Sequence, residues 1–198
     1  ATFAINSGAT SINGLSDALV KDNSIYIGND PSSTTSTAEY NLAVGTTALD
    51  AVTTGDFNTG VGYSSLTANT TGTMNTGLGS GTLYANTTGS YNEAIGVNAL
   101  IANTTGDQNV AVGSTSADAN TTGRNNTSIG YASFGANTTG DTNTAVGMNA
   151  LYANTTADGN TAVGSSSMQS TTTGASNVAM GLYALYTNTT GGYNVAIG

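Results

Sequence analysis

The sequence predicts an all-β protein, a parallel β-solenoid (β-roll) in which each 17-residue repeat forms one coil. Three observations predict this fold. A glycine follows an apolar residue at every seventeenth position from Gly45 to Gly198. An asparagine stands four residues before each of these glycines, from Asn41 to Asn194, and no copy carries an insertion or deletion. Such fixed self-similarity is typical of a chain in which each copy stacks on the last.

The repeat is too short for a pair of helices, which needs about 30 residues or more. Each copy holds a segment such as "NTAVG" (143–147) and a second such as "ALYA" (150–153), and a phrase such as "NTTG" (137–140) joins one copy to the next. Small and branched residues bounded by Gly and Asn are typical of short strands joined by tight turns. With strands about 4.8 Å apart, the nine intervals from Asn41 give a rod of about 43 Å.

The composition argues against two classes of binding partner and in favour of an ordered chain. Charged residues make up 7% of the chain, the formal charge is −9, and Lys21 and Arg124 are its two cations. Binding to nucleic acid or to an anionic membrane needs clustered Lys and Arg, so neither is expected as a partner. The chain is 37% apolar with regular spacing, which favours order over disorder.

Columns of residues that share one place in the repeat have distinct expected roles. The Asn41 column is expected to form an amide ladder along the axis. The Gly45 column is expected either to take a positive φ at a corner or to lie where another backbone approaches closely. The Gly55 column is expected to close a second corner. Ala157 interrupts it, and Gly159 is expected to absorb the difference.

Residues 1–40 lie outside the sequence period and are predicted to form an N-terminal cap or connector, with a strand from Ile25 to Gly28. Stacked coils need such a cap, because an end coil exposes unpaired backbone. A loosely ordered linker is the alternative. Residues 41–198 are predicted to form the solenoid, with nine repeats and the start of a tenth.

Two apolar columns compete for the lumen. By the two-residue period of a strand, Ala43 and Val44 face opposite ways. If the alanines line a narrow lumen, the Val44 column forms an outward stripe of about 400 Å², near the upper limit for a soluble monomer. The Leu49 column is expected to add to this stripe, and Phe134 to fill the space left by Ala117 one coil before it. Burial of the stripe predicts a homotrimer.

Five tyrosines are candidate glycan contacts, since exposed rings beside amides suit stacking on sugars. The alternative, which is favoured, is that the rings cover the coils or pack between chains. The five fall in two columns, one with Tyr84, Tyr152 and Tyr186 and the other with Tyr91, Tyr193 and also Phe57.

No catalytic residue, metal site or cofactor is expected, and the chain is predicted not to be an enzyme. It has no His and no Cys, which removes the usual general base, thiol nucleophile and transition-metal ligands. Asp141 and Asp158 stand on adjacent coils, and Asx capping of turns is favoured over catalysis or calcium binding there.

The phrase "NTT" has two further interpretations. Its asparagines match the N-glycosylation acceptor, although a turn is favoured; they are Asn69, Asn86, Asn103, Asn120, Asn137, Asn154 and Asn188. Its paired threonines resemble those of ice-binding arrays, but adjacent residues of a strand point to opposite sides. That alternation argues against ice binding.

The phrase "NTAVGMNALYANTT" (143–156) and the lead-in "LSDALVKDNSIYIGND" (15–30) resemble repeat regions of bacteriophage tail-fibre proteins. The phrases "NEAIG" (92–96) and "NVAIG" (194–198) are similar to the head repeats of trimeric autotransporter adhesins, whose repeat is shorter. The resemblance of the repeats, which covers the chain from Asn41 onward, implies a trimeric parallel β-roll.

The phage resemblance implies a shaft in the virion that extends a host-receptor-binding tip. Its partners would be further copies of itself, other fibre or tail proteins, and host surface glycans. The alternative is the head of an adhesin on a bacterial cell surface that binds a host ligand. An ice-binding or glycan-cleaving solenoid is less favoured.

Overall fold

A computed structural model describes residues 18–28, 31 and 34–198. Residues 1–17 of the expected cap lie outside this part. Twelve strands form one sheet in chain order. They are β1 (Ala18–Lys21), β2 (Ser24–Ile27), β3 (Leu42–Val44), β4 (Thr59–Val61), β5 (Thr76–Leu78), β6 (Glu93–Ile95), β7 (Val110–Val112), β8 (Thr127–Ile129), β9 (Thr144–Val146), β10 (Thr161–Val163), β11 (Val178–Met180) and β12 (Val195–Ile197).

The predicted parallel β-solenoid with one repeat per coil is confirmed. From β2 onward every strand pairs in parallel with the next one, and each pair aligns residues 17 apart, as in Thr144 with Thr161. Ile25 of β2 aligns with Leu42 of β3 in the same way. The stacking therefore includes a coil that begins at Ser24, whose hydroxyl accepts a hydrogen bond from the Asn41 N–H at 2.9 Å.

The described N-terminal end of the sheet is a hairpin. Strand β1 pairs antiparallel with β2, and the two residues between them, Asp22 and Asn23, have φ of 48° and 58°. Two left-handed residues are what a tight two-residue hairpin turn requires. Tyr26 occupies the lumen place of the Ala43 column and is fully buried. The cap role of residues 1–40 stays a prediction.

Only three residues of each repeat form a strand, and much of the remaining coil is bent by left-handed residues. The Thr47, Leu49 and Phe57 columns have positive φ, for example 58°, 53° and 57° at these three residues. Backbone hydrogen bonds nevertheless continue between coils outside the sheet, as from the Leu49 N–H to the Ser65 carbonyl at 3.1 Å. The coils are therefore joined around much of their circumference.

The lumen holds two apolar columns. Ala43 and its equivalents as far as Ala179 are buried, which is the arrangement that places the Val44 column outside. The expectation that the Leu49 column faces outward is wrong, because Leu49, Leu66, Leu83 and Leu100 are fully buried. The left-handed backbone at Leu49 breaks the strand-like alternation and turns the side chain inward. Phe134 and Ala117 lie in the same core.

The two glycine columns differ. Gly147 of the Gly45 column has φ of 133°, and a Cβ there would lie 2.6 Å from the Gly164 carbonyl, so both expected reasons for glycine apply. The Gly55 column shows a close approach, with the carbonyl of the next coil against each glycine except the last, Gly191, and with Ala157 taking one place. The expected compensation at Gly159 is not seen, since its φ of 69° matches that of its own column.

Candidate functional site

The Val44 column forms the outward stripe expected if alanines line the lumen. The middle residue of each strand from β3 to β11 is buried, while the Val44-column residue after it is exposed or half-exposed. Leu78 is 48% exposed and Met180 46%. All ten residues of the column are apolar: Val44, Val61, Leu78, Ile95, Val112, Ile129, Val146, Val163, Met180 and Ile197.

Exposed apolar side chains two residues further along the chain widen this stripe on several coils. Tyr63, Val97, Tyr131, Met148 and Leu182 are all exposed. Each follows a Gly45-column glycine directly. The candidate site is therefore an apolar surface that follows the rod axis, and we call it the outer stripe (the Val44 column with these five residues).

The outer stripe is nearly free of charge. Within the described strands the one carboxylate is Glu93, on the outward side of β6. Asp56, Asp107, Asp141 and Asp158 belong instead to the column that follows the Gly55 corner. These four carboxylates therefore lie outside the stripe, in a column that also contains Arg124.

The aspartates of the Asp56 column join neighbouring coils. Asp158 Oδ1 accepts from the Asp141 N–H, and Asp141 Oδ1 accepts from the Arg124 N–H, both at 2.7 Å. Asx capping of their own turns was the favoured expectation. The bonds run between coils instead. In the described part of the chain, no three His, Cys, Asp or Glu side chains are grouped so as to hold a metal ion.

The candidate glycan-contact tyrosines are exposed but separate. Tyr84 and Tyr152 are 47% and 44% exposed, and four coils, or about 19 Å, lie between them. Tyr186 makes an edge contact with Tyr183, with ring centroids 5.3 Å apart. Tyr91 and Tyr193 are exposed on coils six repeats apart. No single sugar ring can therefore contact both Tyr84 and Tyr152, or both Tyr91 and Tyr193.

Six of the seven glycosylation motifs have a buried asparagine, and the exception, Asn188, is half-exposed. Asn69 is fully buried, and its Nδ2 donates to the Gly72 carbonyl at 2.9 Å. Its Oδ1 accepts from Asn86 Nδ2 at 2.8 Å. These asparagines form a second amide ladder through Asn154. Sequence reasoning missed it, although its signal, an asparagine at the same place in six consecutive repeats from Asn69 to Asn154, is visible in the sequence.

The adjacent threonines of "NTT" do not point to opposite sides. Thr70 is half-exposed and Thr71 exposed, and the same pattern holds through most repeats. The expectation from strand alternation is wrong here, because this segment lies outside the strands and bends. The argument it supplied against a threonine surface therefore no longer applies.

Asp118 has a raised pKa. Burial of its carboxyl group raises the pKa, while hydrogen bonds from its own backbone N–H and that of Ala119 partly offset the effect. It lies next to the core residue Ala117. Its protonation state is therefore coupled to folding.

Comparisons with known proteins identify no relative. No family model, no curated protein and no solved structure matches the chain. The described residues contain no helix long and apolar enough to cross a membrane.

Proposed function

We propose that the chain is a non-enzymatic, structural shaft segment of a bacteriophage tail fibre, in which three copies pack along the outer stripe. The rod would extend and present a host-receptor-binding tip, and it would be located in the virion. The observation that carries the proposal is the apolar Val44 column on the outside of the rod.

Several exposed columns elsewhere on the rod vary freely. The Asp56 column contains Asp, Thr, Ser, Arg, Ala and Gly, whereas the Val44 column stays apolar in all ten repeats. Exposure to water does not favour an apolar residue at all ten places of the column. About 400 Å² of apolar surface is as much as a soluble monomer usually exposes. A partner that covers the column explains it.

Further copies of the chain fit this surface. Every coil presents an outward apolar residue at the same place in the repeat, so two parallel rods can meet coil by coil. Threefold closure buries all the stripes around one axis and leaves none open. The resemblance of "NTAVGMNALYANTT" to phage fibre repeats supports this arrangement, with other fibre or tail proteins at the ends of the shaft.

A second candidate is the head of a bacterial trimeric cell-surface adhesin that binds a host ligand. The exposed rings of Tyr84 and Tyr152 favour it. Glycan-array screening distinguishes the two. A shaft gives no specific binding, whereas an adhesin gives sugar binding that Tyr84→Ala with Tyr152→Ala abolishes.

The shaft proposal is tested by the mass of the segment in solution. The chain is fused to a trimerising domain, which is then removed by proteolysis, and light scattering measures the mass of the folded product. We expect three chains. Val112→Lys with Ile129→Lys should give single chains, because charges cannot be buried without partners. A matched control, Gln108→Lys with Asn125→Lys, should stay trimeric. A stable, folded single chain from the unmodified segment contradicts the proposal.

A further inference from the structure

Two neighbouring columns of the rod contain threonine in every repeat. The Thr53 column is Thr53, Thr70, Thr87, Thr104, Thr121, Thr138, Thr155, Thr172 and Thr189. The Thr54 column is Thr54, Thr71, Thr88, Thr105, Thr122, Thr139, Thr156, Thr173 and Thr190. Neither column includes a residue of the outer stripe, and neither contains a charge.

The hydrogen bonds of the fold explain the Thr53 column. Thr70 Oγ1 donates to the Thr87 carbonyl at 3.0 Å, and Thr87 Oγ1 donates to the Thr104 carbonyl at 3.1 Å. The same bond continues to Thr189. Each hydroxyl thereby gives its proton to the next coil, so the side chains are held in one orientation.

No bond of this kind explains the Thr54 column. Its side chains are exposed, apart from the half-exposed Thr105. In the described part of the chain none of its hydroxyls makes a hydrogen bond. Other exposed columns of the same rod vary: the Phe57 column contains Phe, Met, Tyr, Gln, Asn, Thr, Gly and Ser. A requirement from outside the fold therefore accounts for the threonine at all nine places.

The nature of the array indicates what this requirement is. Binding to a peptide or a single sugar depends on a few residues and tolerates variation at the others. A requirement at every coil points to a partner that itself repeats along the rod. Each threonine offers one methyl and one hydroxyl group on a side chain with restricted χ1. Successive coils repeat this pair about every 4.8 Å.

We propose that the Thr53 and Thr54 columns form a surface that binds ice. The free hydroxyls of the Thr54 column hydrogen-bond to water molecules, and the methyl groups between them fill the space between rows of water. The hydroxyls of the Thr53 column donate their protons to the next coil, so their remaining lone pairs are held in a fixed pattern. Little order is lost on binding, because the array is rigid before it meets the crystal.

The test uses the whole 198-residue chain and ice as the probe. Inhibition of ice recrystallisation and incorporation of the chain into a growing ice crystal are measured. The unmodified chain should inhibit recrystallisation and enter the ice. Thr105→Lys with Thr122→Lys should abolish both effects, because two long charged side chains hold the surface away from the lattice. The control, Gln108→Lys with Asn125→Lys, makes the same change in charge on the same two coils and should keep both.

A second variant separates ice binding from a role in folding. Thr105→Val with Thr122→Val keeps the branched shape and removes the hydroxyl groups. We expect an unchanged melting temperature and a loss of ice activity. A lower melting temperature with ice activity retained would make the column structural and overturn the proposal. Absence of ice activity in the unmodified, folded chain would also overturn it. Neither result bears on the trimer, whose mass is measured separately.

Discussion

Asn58 Oδ1 accepts two hydrogen bonds from Asn75 on the next coil, one from its backbone N–H at 3.0 Å and one from its Nδ2 at 3.2 Å. Asn75 Nδ2 also donates to the Gly89 carbonyl at 2.8 Å, so both of its amide protons are used. Asn75 Oδ1 accepts the same pair of bonds from Asn92. Full use of a buried amide makes it costly to replace.

Asn92→Asp should strongly destabilise the rod at neutral pH. Asn92 Nδ2 donates to Asn75 Oδ1 at 3.1 Å and to the Gly106 carbonyl at 2.8 Å. A carboxylate has no proton to donate and faces both oxygens. We expect a loss of about 3 kcal/mol or more, since a buried charge is left beside unsatisfied acceptors. Chemical denaturation measures it.

The pH dependence identifies the cause of this loss. Burial raises the pKa of the new carboxyl group above its unfolded value. The folded state therefore binds the proton more tightly, and part of the stability should return as the pH falls. Asn125→Asp at an exposed position is the control and should change little. Equal stability of Asn92→Asp at pH 4 and pH 7 would contradict this account.

Gly147→Ala should cost more than Gly159→Ala. Both glycines have positive φ, 133° and 69°. A Cβ at Gly147 would lie 2.6 Å from the Gly164 carbonyl, whereas at Gly159 the nearest atom is 3.6 Å away. Ala132 already adopts φ of 50° elsewhere in the rod. We expect about 1–3 kcal/mol or more at Gly147. Similar melting temperatures for the two variants would show that the close approach at Gly147 does not affect the stability of the rod.

Much of this fold follows from the sequence. The 17-residue period predicts the coils, the asparagines predict one ladder, and the two-residue alternation places Ala43 and Val44 on opposite faces. Which of the two lines the lumen is shown by the structure. The alternation fails at Leu49 because it holds only for extended backbone, and Leu49 has φ of 53°. The sequence period did not reveal the coil at Ser24, because Ser24 stands where later coils have asparagine and Tyr26 stands where they have a small residue.

The functional surfaces were predicted less completely. The Val44 stripe follows from alternation within a strand. The paired threonines lie in a bend, where alternation gave the wrong direction for one column. The tyrosines were correctly grouped in columns, but contact with a ligand depends on ring orientation and spacing, which the repeat does not determine.

Asp118→Asn should raise the stability at pH 7 and leave it unchanged or lower near pH 3. Burial raises the pKa of Asp118, so the folded state holds the protonated form more tightly than the unfolded state does. That contribution is present below the unfolded pKa and is lost as the pH rises through the folded pKa. An amide avoids this loss.

The expected gain is about 1 kcal/mol or less, because the Asp118 carboxyl is only partly buried and solvent screens it. Thermal melting at several pH values measures it. Asp50→Asn, at the exposed equivalent position of another coil, should show no comparable gain. An Asp118→Asn effect that is constant from pH 3 to pH 7 would exclude titration of this carboxyl as the cause.

Ala117→Leu and Phe134→Leu should compensate each other. The two residues occupy the same lumen place on adjacent coils and are 2% and 0% exposed, and leucine fills both places at Leu83 and Leu100. Ala117→Leu alone overpacks the core against the Phe134 ring, and Phe134→Leu alone leaves space beside Ala117; each should cost about 1–3 kcal/mol. The double variant restores leucine on both coils, so its loss should fall below the sum by about 1 kcal/mol or more. Denaturant unfolding of the unmodified chain, the two single variants and the double variant measures this coupling.

The control pair is Phe134→Leu with Leu66→Val. These two residues lie four coils apart, so their losses of stability should add. If the losses of Ala117→Leu and Phe134→Leu also add, the phenylalanine does not fill the space above the alanine.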